Sequence, residues 1–97
     1  MVNREIIRTD NALVRIMELA SNEANAWHHH SEIADFFVCL SGRVQLDTRN
    51  PEETILLLPG ETAQVNPPQV HRVSNPGSEA ARYLLVQGVG RYDFITQ

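Results

Sequence analysis

The sequence predicts an all-β domain of the sandwich or barrel kind, and three observations carry that expectation. About nine short apolar or alternating runs recur at intervals of roughly 8 to 12 residues. None sustains a helical hydrophobic period. Between them stand residues that favour turns: Ser41-Gly42, Asn50-Pro51, Pro59-Gly60, Pro67-Pro68 and Asn75-Pro76-Gly77.

Taken in order, residues 3 to 10 read as a short arm or edge strand with polar flanks. Ala12 to Leu19 is a stronger strand, with apolar residues interrupted by Arg15 and Glu18. After a polar loop, Trp27 to His30 is a strand, and Ser31 to Ala34 turns the chain. Asp35 to Leu40 is apolar on both faces, with Asp35, Phe37 and Cys39 on one side and Phe36, Val38 and Leu40 on the other. Ser41-Gly42 leads this strand into Arg43 to Asp47 as a hairpin. Thr54 to Leu58, Thr62 to Val65, Val70 to Val73 and Ala80 to Gln87 follow as strands, with a last amphipathic piece at Arg91 to Ile95.

With 97 residues and 42% hydrophobic content, the chain is one globular domain spanning residues 1–97. Its longest apolar runs, Phe36 to Leu40 and Ile55 to Leu58, are far shorter than the roughly 20 residues that cross a bilayer. No basic start leads into an apolar core, so a soluble cytoplasmic protein is expected. The net charge of −4, without a clustered basic face, argues against nucleic acid or membrane as a partner. All eight basic residues are arginine, which removes lysine Schiff-base chemistry. The single cysteine, Cys39, excludes an internal disulfide and cysteine-rich zinc sites.

The four histidines fall in two short segments, His28-His29-His30 and the surroundings of His71. Side chains at i and i+2 of a strand share a face, so His28 and His30 converge while His29 points away. A turn over Ser31 to Ala34 lets Asp35 swing back toward them, and a distant strand can supply His71. Two or three imidazoles with one carboxylate and an open position suit Fe(II), Mn(II), Ni(II), Cu(II) or Zn(II). The competing reading, a purely structural cluster with His71 held in the core by a main-chain carbonyl, is the weaker one, because these residues account for every histidine in the chain. Phe37, Met17, Val73 and Tyr83 or Leu85 are candidate pocket walls, and Glu32, Tyr83 and Arg72 or Arg82 candidate polar helpers. Cys39 reads as a small buried hydrophobe rather than a soft ligand.

These segments resemble the two motifs of the cupin superfamily. The first family motif is H-x-H, three or four residues, E, six residues and G; His28-His29-His30, four residues, Asp35, six residues and Gly42 reproduce that spacing. Gly60, His71 and Asn75 match the second motif, whereas Asn66 and Pro68 stand where the family has Pro and Gly. Chain length and the Leu58-Pro59-Gly60 turn are similar to the small single-domain members. The resemblance implies a single jelly-roll β-barrel of antiparallel strands, with His28, His30 and His71 as metal ligands and Asp35 in the place of the family's glutamate. Asp is shorter by one methylene, which leaves direct coordination, coordination through water, or a hold on an imidazole N–H as alternatives, the first two favoured.

The resemblance further implies one divalent transition metal ion and a small-molecule ligand in the barrel. A metal-dependent enzyme of oxygenase or isomerase type acting on a small oxygen-rich substrate is the leading expectation. A non-catalytic ligand-binding or sensory module that uses the metal as an anchor comes second, and a mainly structural metal third. A barrel this small with strands apolar on both faces needs its outer surface covered, so a homodimer is expected.

Overall fold

A computed structural model describes residues 1–97. Ten strands follow one another: β1 (Val2–Arg8), β2 (Ala12–Leu19), β3 (His28–His29), β4 (Ala34–Ser41), β5 (Val44–Thr48), β6 (Glu53–Leu57), β7 (Thr62–Val65), β8 (His71–Ser74), β9 (Ala81–Gly88) and β10 (Ile95–Thr96). They form two five-stranded sheets, ordered β1-β2-β9-β4-β7 and β10-β3-β8-β5-β6. All pairings are antiparallel. Strand β9 inserts between β2 and β4, and β8 between β3 and β5, which are crossovers of a jelly roll. The expected all-β jelly roll is therefore present, hydrogen-bonded as two separate sheets.

Alternation along the strands builds the core. Leu13, Met17 and Leu19 of β2, Phe37 and Cys39 of β4, and Ala81, Tyr83 and Leu85 of β9 all turn inward. Val44, Leu46, Leu57 and Val73 of the other sheet join the same apolar cluster. The register aligns Leu13 with Gln87 and Asp35 with Gln87, so the interior becomes polar toward that end of the β2-β9-β4 ladder. Cys39 belongs to the apolar cluster, where burial raises the pKa of its thiol.

Turn chemistry fixes the β4–β5 hairpin. Gly42 has φ of 73°, and a Cβ there would lie 2.8 Å from the Ala80 carbonyl oxygen and 2.9 Å from the Ala81 Cα. Only glycine meets both demands.

Most strand ends lie within a residue of the sequence expectation, and the first, third and eighth strands bear on the site or the sheet edge. Of the two alternatives for residues 3 to 10, an arm or an edge strand, the structure has the edge strand, β1, running over Val2–Arg8 with every one of its residues exposed. Its extended state comes from hydrogen bonding to β2 rather than from burial, so no periodicity reveals it. The expected Trp27 to His30 strand contracts to His28–His29, because the Ser31 amide leaves the ladder to donate to the Asp93 carboxylate at 2.9 Å. The strand carrying His71 starts at that residue instead of Val70.

Candidate metal centre

Three chain segments bring the polar end of the interior together. Strand β3 pairs with β8 through His28 opposite His71, which places those two rings 4.3 Å apart between centroids. His30 follows one residue beyond β3 on the same inward side, and Asp35 enters from β4 across the gap between the sheets. His28, His30, Asp35 and His71 are 3, 2, 2 and 1% exposed. His29 points the other way, is half-buried, and its Nδ1 contacts Gln97 Nε2 at 2.7 Å.

Main-chain carbonyls orient all three rings. His28 Nδ1 donates to Ala26 at 2.8 Å, His30 Nδ1 to Asp93 at 2.6 Å and His71 Nδ1 to Gln69 at 2.9 Å. A carbonyl only accepts, so Nδ1 carries the proton and the lone pair of each neutral ring lies on Nε2. Those Nε2 atoms face inward. His30 Nε2 lies 3.0 Å and His71 Nε2 2.8 Å from Asp35 Oδ2, and the ligand-capable atoms of the four residues lie within 4.8 Å of one another.

This donor set fits a cation. Ligand atoms at adjacent octahedral corners, with bonds of about 2.1 Å, lie about 3 Å apart, and tetrahedral ones about 3.4 Å apart. The 2.8 and 3.0 Å separations match the octahedral value with little adjustment. Imidazole and carboxylate are together suited to a divalent transition metal, and fixing each Nδ1–H by a carbonyl is how metal-bound histidines are commonly held.

Asp35 is held from its other side as well. Gln87 Nε2 donates to Asp35 Oδ1 at 2.9 Å, and Arg15 donates through one terminal guanidinium nitrogen to Gln87 Oε1 at 2.6 Å. Burial works against the Asp35 carboxylate, but its close contacts with His30 and His71 outweigh it and hold its pKa well below the ordinary value. Burial likewise disfavours the His30 imidazolium, yet the Asp35 hydrogen bond overcomes it and the pKa is raised. His28 has no such partner, and burial pushes it down to about 4.

A cavity of about 180 Å³ opens beside the cluster. All five expected walls, Met17, Phe37, Val73, Tyr83 and Leu85, line it. Of the expected polar helpers only Tyr83 does. Glu32 is exposed and receives the Arg91 amide at 3.4 Å, Arg72 lies over the Trp27 ring on the outer surface, and Arg82 is exposed. Alternation explains this correction: positions 72 and 82 have the opposite parity to the inward residues of their strands.

Sequence reasoning missed Arg15, Gln87, Tyr92 and Phe94, which also line the cavity. Phe94 stacks on His28 with centroids 4.1 Å apart and planes 15° apart. Parity did carry a signal for two of them: Arg15 shares a face with Leu13, Met17 and Leu19, and Gln87 with Tyr83 and Leu85. The other two sit before β10 in the amphipathic piece Arg91 to Ile95, where they share a parity, but nothing local says which part of the fold that face meets.

Residues 15–87 match the family described as the cupin domain. The chain is a cupin. Solved structures agree on the fold. The cupin resembles an uncharacterized conserved protein with a double-stranded β-helix domain from Klebsiella pneumoniae, at 23% identity and a TM-score of 0.86, over 99% of this chain and 84% of that one. It is also similar to a sugar phosphate isomerase of the cupin superfamily from Silicibacter pomeroyi, at 22% identity and a TM-score of 0.69, over 80% of this chain and 50% of that one. A recombinant oxalate oxidase in complex with glycolate aligns at 14% identity and a TM-score of 0.80, over 89% of this chain and 46% of that one. Among curated proteins, none matches the sequence.

Proposed function

We propose that this cupin binds one divalent transition metal ion, Fe, Mn, Ni, Cu or Zn, through Nε2 of His28, His30 and His71 and the carboxylate of Asp35, and acts as a metal-dependent enzyme of oxygenase or isomerase type on a small oxygen-rich substrate. The observation that carries this reading is the hold of three main-chain carbonyls on three Nδ1 atoms, which leaves three Nε2 lone pairs turned inward, within 4.8 Å of one another and of the buried Asp35 carboxylate. When bound, such a metal supplies Lewis acidity toward a substrate carbonyl or carboxylate and, if redox-active, a means of coupling the substrate to dioxygen.

The chain's own residues do the rest. Gln87 fixes the rotation of Asp35, and Phe94 fixes the plane of His28. Met17, Phe37, Val73 and Leu85 exclude bulk water from one side, which strengthens polar contacts inside. The cavity favours oxygenase over isomerase chemistry, because proton transfer needs a free general base and its only carboxylate is fully engaged. The names of two relatives, a sugar phosphate isomerase and an oxalate oxidase, support a small oxygen-rich substrate class.

The second reading, a non-catalytic ligand-binding or sensory module anchored by the metal, is favoured by the same lack of a free base. Elemental analysis of protein purified without a metal column tests the centre: about one equivalent is expected in the parent and near none in a His28→Ala, His71→Ala double variant. Oxygen uptake with candidate acids then separates catalysis from binding. Tight ligand binding without turnover would overturn the enzyme reading.

We also propose a homodimer, in the cytoplasm, in keeping with a lone, unpaired and buried Cys39. Val2, Ile6 and Ile7 of β1 are 63, 46 and 53% exposed, and Phe36 and Leu40 of β4, in the same sheet, 39 and 40%. A second copy seated on that sheet would cover them. A monomeric mass by light scattering at micromolar concentration would contradict it.

A further inference from the structure

Arg15 is the one guanidinium on the cavity wall, and its place there is costly for a charged side chain. It stands on the inward face of β2 between Leu13 and Met17, half-buried, opposite Leu85 of β9. One terminal nitrogen donates to Gln87, the ring of Tyr92 lies 5.5 Å from the guanidinium carbon, and Nε is buried with no hydrogen-bond partner. No carboxylate lies within ion-pair distance of it, and only the field of Glu5 reaches it. Glu5, its register partner on β1, is taken by Arg8, and the amino group of Met1, also on the wall, is paired with Glu23.

We propose that Arg15 is the anion anchor of this site and that the ligand is a short dicarboxylate, one carboxylate held by the Arg15 guanidinium and the other directed at the metal centre. The proposal rests on the metal reading above. With neutral imidazoles, a divalent ion, Asp35 and Arg15 leave two positive charges in a partly closed cavity, and a dianion cancels them where a sugar or an amide does not. The guanidinium stands one carboxamide and two hydrogen bonds from Asp35, so one short molecule can touch both ends. The volume of about 180 Å³ equals about six water molecules, room for a few carbons and two carboxylates. Gln87 couples the two ends, because the amide that receives Arg15 also positions Asp35.

The test is calorimetric titration of the metal-loaded protein with oxalate, malonate and succinate, against acetate and the neutral malonamide, with metal content measured on every sample. The parent should bind at least one of the three dicarboxylates at millimolar concentration or below and malonamide not at all. Arg15→Gln should keep its metal and lose about ten- to a hundredfold in affinity. Arg15→Lys, which keeps the charge without the planar fork, should fall between them. It also replaces Arg15→Gln as the test if that variant fails to fold. Equal affinity in parent and variant, binding of malonamide as tight as that of the diacids, or no dicarboxylate bound by metal-loaded parent would each overturn the proposal. A parent without metal would sink the centre itself, and this inference with it.

Discussion

Replacing Gln87 by leucine isolates the hold on Asp35 from the ligand atoms themselves. The side chain is 2% exposed and makes two contacts, 2.9 Å to a buried carboxylate and 2.6 Å from a half-buried guanidinium. A hydrogen bond to a charged group contributes about 1.5 to 3 kcal/mol, and leucine of similar volume avoids a cavity. The Arg15 contact is nearer solvent and adds little, so the metal-free variant should be less stable by about 2 kcal/mol. For a domain of this size that corresponds to a Tm lower by about 8 to 16 °C. Metal affinity should fall about ten- to a hundredfold, the usual effect of losing a group that orients a ligand. Scanning calorimetry in chelator measures the first and competition with a chromophoric chelator the second. A Tm within about 2 °C of the parent together with unchanged metal affinity would refute the view that Asp35 is positioned from behind.

Four further outcomes follow from the same structure. Acid should strip the metal: the His30 pKa is raised, so a proton competes for its Nε2 more strongly than in an ordinary imidazole, and metal binding should release protons, read as a buffer-dependent binding enthalpy, with affinity falling as pH is lowered. In the metal-free protein His28, at about 4 folded against 6.5 in its absence, resists protonation, so its contribution to stability declines as pH falls from 6.5 toward 4. That of Asp35, whose pKa is depressed, survives until still lower pH, and urea midpoints across this range check both. His29→Ala should leave metal content unchanged by elemental analysis, since its ring faces Gln97 rather than the cluster. Gly42→Ala should destabilise far more than Gly60→Ala in thermal melts: both have positive φ, worth about 1 to 2 kcal/mol, but only at Gly42 would the new Cβ strike the Ala80 and Ala81 backbone.

Much of the site was legible because strand periodicity is strict. His28 and His30 had to share a side, Asp35 had to join Phe37 and Cys39, and all lie buried as that rule requires. Arg15 and Gln87 obeyed the same parity, so a polar residue on an otherwise apolar inward face was the readable mark of the cavity. Arg72 and Arg82 were misplaced as helpers because polarity was weighed without parity, and Glu32 because it lies in a turn where no parity applies.

The sequence by itself determined the strands of the core, the hairpin at Gly42 and the set of residues able to meet a metal, since each depends on local alternation, turn chemistry or residue type. Tertiary structure alone decided that β1 pairs with β2, that Tyr92 and Phe94 close the cavity, and that Asp35 is tied through Gln87 to Arg15. These rest on pairing between segments as far apart as positions 15 and 87, and no local pattern encodes which strands become neighbours.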